Sequence, residues 1–192
     1  PMMKKVLLSV MILSVGFCHA QTPISQLPIL KQDNHTLNKT DWLIHQPTEH
    51  AGVYRSDDGK EIILYNGLLK RTFRIQPNVA CVDFVNLSSG EQMLRAVEPE
   101  ARLLINGKPV NIGGLYGQKE KAYLLREWVD NLKAHEQDFQ YKGFVVSPSI
   151  QPYVQWQARL WASKKQLPTG KTLTFIYSGT EQLKDLTVKV NY

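Results

Sequence analysis

Short apolar runs and strict apolar–polar alternation dominate the chain from about residue 52 onward. The run "EIILY" (61–65) precedes Asn66-Gly67, a dipeptide that favours a two-residue type I′ hairpin turn because both residues tolerate positive φ. We expect the returning run "LLKRTFRI" (68–75) to complete a β-hairpin with its lysines and arginines on a solvent-exposed face. That alternation puts Leu69, Arg71, Phe73 and Ile75 on one face and Leu68, Lys70, Thr72 and Arg74 on the other.

Further strands are predicted at regular spacing along the rest of the chain. "VACVDFV" (79–85) indicates a third strand, and Asn106-Gly107 marks a second hairpin between "EARLLI" and "KPVNI". Strand-like runs resume near the C-terminus in "FVVSPSI", "PYVQWQARLW", "KTLTFIYSG" and "LTVKVNY". Strands joined by turn residues rather than by helices are typical of antiparallel β-sandwiches. We therefore predict a mainly all-β fold, an antiparallel β-sandwich or supersandwich with one short helix.

The single helical candidate is "AYLLREWVDNLKA" (122–134). Leu124, Trp128 and Leu132 recur at i, i+4 and i+8, the spacing of an apolar stripe along a helix. A strand through "AYLL" followed by a short turn of helix is the alternative interpretation.

The first twenty residues have the pattern of a secretory signal. Lys4 and Lys5 precede the apolar run 6–17, and Cys18-His19-Ala20 places small residues before a cleavage site. The apolar run is well short of the roughly 20 residues needed to span a bilayer. We therefore expect a periplasmic or secreted protein that has no membrane contact after cleavage.

Three segments are expected: a signal peptide (1–20), a flexible or surface-draped leader (21–51) and a β-sandwich domain (52–192). The leader is rich in Pro, Asn and Thr and poor in apolar pairs. The alternation in "LTVKVNY" runs up to Tyr192, which fits either an edge strand or a domain truncated at this point from a longer protein.

Composition and charge exclude several classes of function. The 43% hydrophobic and 21% charged residues are ordinary for a globular protein. The formal net charge of +6 includes Lys4 and Lys5, and the remaining basic residues are scattered, so we expect no nucleic-acid partner. Cys81 is the one cysteine outside the signal, which excludes an intramolecular disulfide and predicts a small buried hydrophobe.

The glycine-rich stretch "NIGGLYGQK" (111–119) is a poor phosphate loop. A P-loop requires Gly-Lys followed by Ser or Thr, whereas Gln118 follows Gly117 and Glu120 follows Lys119. No βαβ unit surrounds the stretch, which argues against a dinucleotide site. We instead predict that Gly113-Gly114 allows a bend or a close backbone approach.

Candidates for catalysis and metal binding are weak. No histidine pair has the i, i+4 spacing of a helical zinc site, and no G-x-S-x-G occurs, so neither a metal nor a cofactor is expected. Glycoside hydrolysis requires two carboxylates about 5 Å or about 6.5–9.5 Å apart. Glu98 with Glu100 on a strand face, or Glu127 with Asp130 on a helix face, are candidate pairs, although solvated carboxylates commonly have the same spacing.

Aromatic side chains provide candidate surfaces for sugar rings, whose C–H faces pack on aromatic faces. Trp156 alternates with Val154 and Ala158, which favours a core position. Tyr116 lies within the glycine-rich stretch, and Trp128 adjoins Glu127 in the helical candidate.

The order of motifs resembles a known group of proteins. "YNGLLKRTFRIQPNVACVDFVNLSSGEQMLRAVEPEARLLINGKPVNIGGLYGQ" followed by "AYLLREWVDNL" is similar to the N-terminal region of large secreted Bacteroidetes proteins related to alpha-galactosidases of the melibiase group. The resemblance covers about residues 52–192. It implies a galactose-mutarotase-like β-supersandwich that precedes a catalytic (β/α)8 barrel, and this chain contains no residues to build that barrel.

The resemblance implies a non-catalytic accessory domain that packs on a barrel and shapes or shields a galactoside-like carbohydrate site. A free-standing carbohydrate-binding module is the alternative. A mutarotase-type enzyme would need a histidine and a carboxylate in one cleft, and the histidines at 35, 45 and 50 lie in the leader. The residues predicted to contact sugar or the missing barrel are Tyr116, Gln118, Glu127 and Trp128.

Overall fold

The structure is a computed structural model that describes residues 21–31, 41, 44, 51–149 and 170–192. Several predictions concern residues outside these ranges: the signal peptide (1–20), the strand in "PYVQWQARLW" with Trp156, and the three leader histidines. Among the described residues the strands are antiparallel and helix is limited to short 3-10 turns.

Within the described ranges, the first sheet contains five strands in chain order. They are β1 (Gly52–Arg55), β2 (Glu61–Tyr65), β3 (Leu69–Arg74), β4 (Ala80–Asn86) and β5 (Glu91–Gln92). The predicted β2–β3 hairpin is confirmed, but its turn lies one residue later than predicted. Asn66 pairs with Leu69 (N to O, 3.3 Å), so Gly67 and Leu68 are the central residues and Gly67 has φ 81°. The shift arises because Asn66 Oδ1 accepts the amides of Leu68 and Leu69 at 3.0 and 2.7 Å, which closes the turn locally.

Two further sheets account for the remaining strands among the described residues. The hairpin β6 (Ala101–Ile105) and β7 (Lys108–Ile112) turns at Asn106-Gly107, where φ is 50° and 77°, as the sequence predicts for this dipeptide. The second main sheet contains β8 (Gln140–Pro148), β9 (Lys171–Ser178) and β10 (Thr187–Asn191), with β9 at its centre.

The core lies between the five-stranded sheet and the β8–β10 sheet. Phe73 of β3 and Phe175 of β9 are fully buried, and their ring centroids are 5.1 Å apart across the sandwich. Aromatic pairs of this kind contribute about 0.5–1.5 kcal/mol beyond the area they bury. The predicted all-β sandwich is thus confirmed, with a core of Leu27, Val53, Ile62, Phe73, Ile75, Val79, Cys81, Ile112, Phe139, Phe144, Leu173, Phe175 and Tyr177.

The opposite face of the five-stranded sheet is also covered. A second apolar cluster consists of Ala80, Val82, Val97, Leu115, Val129 and Leu132. Chain segment 115–132 therefore lies over the face that the sequence pattern assigns to solvent.

The prediction that the lysines and arginines of β3 face solvent is wrong. Lys70, Thr72 and Arg74 are only 6%, 4% and 5% exposed, so the basic residues of β3 do not lie on a wet face. Lys70 Nζ lies 2.9 Å from Asp83 Oδ2 on the neighbouring strand. Buried charges need such partners, because an unpaired buried charge costs several kcal/mol.

The predicted 13-residue helix is also wrong. Residues 122–125 form neither helix nor strand, and only Arg126–Asn131 form a helical turn, which is 3-10. The sheet is contacted by Val129 and Leu132, whose i, i+3 spacing suits a 3-10 turn, while Leu125 stays exposed. Of the alternative interpretation, the short turn of helix is confirmed and the strand through "AYLL" is not.

Part of the predicted leader packs on the sandwich. Leu27 is buried in the core, and the backbone of Leu30 and Arg55 connects the segment to β1. None of the helices within the described residues has the length and apolar character to cross a bilayer.

Candidate functional site

The glycine-rich stretch bends where the sequence predicts. Gly113 has φ 66°, and a side-chain Cβ there would lie 2.7 Å from the carbonyl oxygen of Val79. The amide of Gly114 donates to that oxygen at 2.7 Å. The two glycines therefore allow the chain to lie directly against Val79, the residue before β4, which confirms the predicted close backbone approach.

Tyr116 is held in place from both its backbone and its side chain. Its amide and carbonyl pair with the carbonyl and amide of Lys133 at 2.8 and 2.9 Å. Its hydroxyl donates to Asp138 Oδ2 and accepts from Asn111 Nδ2 at 3.1 Å. These contacts fix the orientation of the half-buried ring.

Asp138 is the buried end of this network and is only 6% exposed. Burial, together with the hydrogen bond to Asp138 and the charge of that carboxylate, raises the pKa of Tyr116 to about 12. The Tyr116 phenol therefore remains a proton donor to the carboxylate at neutral pH. Asp138 and Tyr116 form a charge-assisted hydrogen bond at the edge of solvent.

A cleft of about 610 Å³ opens beside Tyr116, and we call it the Tyr116 cleft. Its walls are the tip of the β6–β7 hairpin, the segment 135–138 and the 3-10 turn Glu181–Leu183. His135 meets the Tyr116 ring edge-on, with centroids 5.9 Å apart. Planar polar side chains are common in its lining, which includes Asn111, His135, Gln137, Asp138, Glu181 and Gln182.

Backbone strain is concentrated at the rim of this cleft. Asn106 and Glu181 are the non-glycine residues with positive φ, 50° and 49°, in the described part of the chain, and both line the cleft. Asn106 tolerates this conformation in its hairpin turn, whereas at Glu181 it costs about 1–3 kcal/mol, and strained residues of this kind cluster at binding sites.

The four residues predicted to contact a ligand are separated in the structure. Tyr116 lines the Tyr116 cleft, whereas Gln118, Glu127 and Trp128 do not. Trp128 is half-buried and its ring lies 5.6 Å from that of Tyr123, and Glu127 is exposed on the 3-10 turn. Ligand or inter-domain contact at these three positions stays a prediction.

Gln118 has a structural role within its own loop. Its Oε1 accepts the Val97 amide at 2.8 Å, and its Nε2 donates to the carbonyls of Arg95, Glu120 and Tyr123. The side-chain amide of Gln118 therefore links residues 95–97 to residues 120–123 by hydrogen bonds.

Sequence reasoning missed His135, Asp138 and Asn111. Asn111 is the first residue of the glycine-rich stretch, so its proximity to Tyr116 was readable from the sequence. His135 and Asp138 come together with Tyr116 through the pairing of Tyr116 with Lys133, which the local pattern does not indicate.

Neither predicted carboxylate pair forms a common site. Glu98 is exposed beside Lys121 (3.1 Å), whereas the side chain of Glu100 is buried and accepts hydrogen bonds from the Cys81 amide at 2.7 Å and from the Tyr192 hydroxyl. Burial raises the pKa of Glu100 despite these hydrogen bonds. In the second pair, Asp130 is bound to Arg74 while Glu127 remains exposed.

No group of three or more His, Cys, Asp or Glu residues suited to a metal ion occurs in the described ranges.

Comparison with protein-family models, curated protein sequences and solved structures found no match for this chain. The resemblance to alpha-galactosidase-like proteins therefore stays a prediction.

Proposed function

We propose that this chain is a non-catalytic β-sandwich domain of a secreted, glycoside-hydrolase-like protein and that its Tyr116 cleft contacts a neutral carbohydrate. The observation that carries the proposal is the oriented, half-buried Tyr116 ring at a cleft lined with planar polar side chains. An aromatic face binds the C–H side of a sugar ring, and planar amides and carboxylates pair with its hydroxyls.

The size and polarity of the Tyr116 cleft support this ligand class. A volume of about 610 Å³ lies within the range of small-molecule sites, about 300–1,000 Å³. Amide groups of Asn111, Gln137 and Gln182 offer both donors and acceptors, which matches hydroxyl groups better than it matches a phosphate or an apolar ligand.

Calorimetric titration of the mature chain with methyl galactosides and galacto-oligosaccharides tests the proposal. We expect saturable binding that Tyr116→Ala weakens at least tenfold, which corresponds to about 1.4 kcal/mol. Tyr123→Ala is the matched control, since Tyr123 is an exposed tyrosine outside the cleft.

Equal affinities of the wild-type chain and Tyr116→Ala would contradict the assignment of the cleft. Absence of any saturable response would overturn carbohydrate contact by this chain alone and favour a domain that packs on a separate barrel. Quenching of tryptophan fluorescence by the same sugars provides an independent readout.

A mutarotase-type activity is a second candidate, because His135 lines the Tyr116 cleft together with Asp138 and Glu181. In that reaction a base removes the proton of the anomeric hydroxyl while an acid protonates the ring oxygen. The bond between the anomeric carbon and the ring oxygen breaks, and reclosure on the other face gives the other anomer. A histidine and a carboxylate in one cleft can fill the two roles.

Polarimetry of freshly dissolved α-galactose tests this candidate. Anomer exchange faster than in buffer, and its loss in His135→Gln, would support the enzyme. Exchange at the buffer rate by a chain that binds galactosides would instead support the binding domain.

A further inference from the structure

A second cavity, apart from the Tyr116 cleft, lies where β3 ends at Arg74, next to the 3-10 turn Arg126–Asn131 and to Tyr141 of β8. It has a volume of about 550 Å³ and we call it the Arg74 cavity. Lys60, Arg74, Asp130 and Tyr141 supply its polar lining, and Ile75 and Val129 are among its apolar residues. The two cavities have no lining residue in common.

Arg74 is a buried cation whose hydrogen-bonding capacity is incompletely used. Its side chain is 6% exposed and its Nη2 donates to Asp130 Oδ1. Its Nε lies 3.7 Å from Glu61 Oε1 and, within the described part of the chain, has no hydrogen-bond acceptor. A buried donor without an acceptor costs about 1–3 kcal/mol, so the present partners of Arg74 satisfy its guanidinium only in part.

The charges around this cavity are shared among several partners. Glu61 is shared between Arg74 and Arg126, and Asp130 is shared between Arg74 and Lys60. The carboxylate of Asp58 also acts on Lys60 and Arg74. Among these three cations Arg74 is the buried one, and a buried cation favours an anion over a neutral or cationic ligand.

The carboxylate of Asp130 occupies the position that a ligand oxyanion would take. A single oxygen, Oδ1, accepts from Arg74 and lies 3.7 Å from Lys60 Nζ. The Asp130 side chain is 65% exposed, so it can turn away into water at small cost. The buried guanidinium of Arg74 cannot leave in the same way.

We propose that the Arg74 cavity binds the oxyanion of an acidic ligand, which replaces Asp130 as the partner of Arg74 and Lys60. A guanidinium presents parallel N–H groups that suit a carboxylate or a sulfate. The uronate group of an acidic sugar and free inorganic sulfate share this chemistry and are its two sources. Tyr141 also lines the cavity, and because burial raises its pKa to about 12 its hydroxyl stays protonated.

Calorimetric titration of the mature chain at constant ionic strength tests the site, with sodium galacturonate, sodium sulfate and methyl galactoside as probes. We expect galacturonate to bind, and its affinity to rise several-fold in Asp130→Asn because the internal competitor has lost its charge. Lys60→Gln should lower the affinity several-fold. Lys119→Gln is the matched control, since this lysine lines neither cavity.

Two comparisons identify the source of the oxyanion and separate this proposal from the function of the Tyr116 cleft. Tighter binding of galacturonate than of sulfate assigns an acidic sugar, and equal binding assigns a free anion. Tyr116→Ala should leave both affinities unchanged, so neutral-sugar binding can fail without affecting this result. Failure of both anions to bind, or an Asp130→Asn variant that is folded by circular dichroism yet binds no better than wild type, would overturn the proposal.

Discussion

Replacement of Tyr116 by phenylalanine isolates the hydrogen-bond network behind the candidate carbohydrate site. The change keeps the aromatic ring and removes only the hydroxyl. That hydroxyl donates to Asp138 and accepts from Asn111 at 3.1 Å, so the variant loses one charge-assisted and one neutral hydrogen bond.

The expected loss of stability is about 2 kcal/mol. A hydrogen bond to a charged group contributes about 1.5–3 kcal/mol and a neutral one about 0.5–1.5 kcal/mol. The lower part of the combined range applies because Tyr116 is half-buried and water can reach part of the network. Asp138, which is buried, accounts for most of the loss.

Urea unfolding followed by circular dichroism measures this loss. With a urea slope of about 2 kcal/mol per M, a value ordinary for a domain of this size, the midpoint should fall by about 1 M. Tyr123→Phe is the control, since the Tyr123 hydroxyl has no hydrogen-bond partner among the described residues and its midpoint should hardly change. A shift below about 0.3 M in Tyr116→Phe would refute the inferred network.

Two further predictions concern Glu100 and Gly113. Because burial raises the pKa of Glu100 above its ordinary 4.5, the folded chain keeps this proton after the unfolded chain has lost it. The protonated Glu100 therefore contributes its full stabilisation below pH 4.5, and this stabilisation is lost as the pH rises through the raised pKa. Urea unfolding of Glu100→Gln, measured across the same pH range, should lack this decline in stability. A variant with the same pH profile as the wild-type chain would contradict the prediction. Gly113→Ala should lower the free energy of unfolding by about 2 kcal/mol or more, because φ is positive and the new methyl group meets the Val79 carbonyl. The control Gly59→Ala, with φ 69° and open space around it, should lower it by about 1 kcal/mol in thermal unfolding. Equal losses in the two variants would show that the close approach at Gly113 is unimportant.

The sequence predicts the sheets better than it predicts what covers them. Alternation and turn dipeptides identify the β2–β3 and β6–β7 hairpins because strand formation and tight turns depend on neighbouring residues. The burial of Arg74 depends on Val129 and Asp130, which lie more than forty residues away in the chain, and the alternation of apolar and polar residues in β3 does not indicate that contact. The same limit explains the false helix, since residues 122–134 adopt the shape that the sheet beneath them allows.

The Tyr116 cleft is predictable in part for a related reason. The glycine pattern correctly indicates a bend that exposes Tyr116, because positive φ is a local property. His135 and Asp138 reach the cleft through a backbone pairing across a 17-residue separation, from Tyr116 to Lys133. A histidine with no regular spacing to other ligands gives no local sign of that proximity.

The segment 115–132, which covers one face of the five-stranded sheet, also affects how this domain unfolds locally. Strand β3 has the sandwich core on one side and this segment on the other, and the second side is held by a small apolar cluster and a few ion pairs. Local unfolding of the segment would hydrate Arg74, whose partner Asp130 belongs to it, without disturbing the sandwich core. Hydrogen exchange should therefore resolve two cooperative units, in which amides of 115–132 exchange at a lower opening free energy than those of β3 and β9.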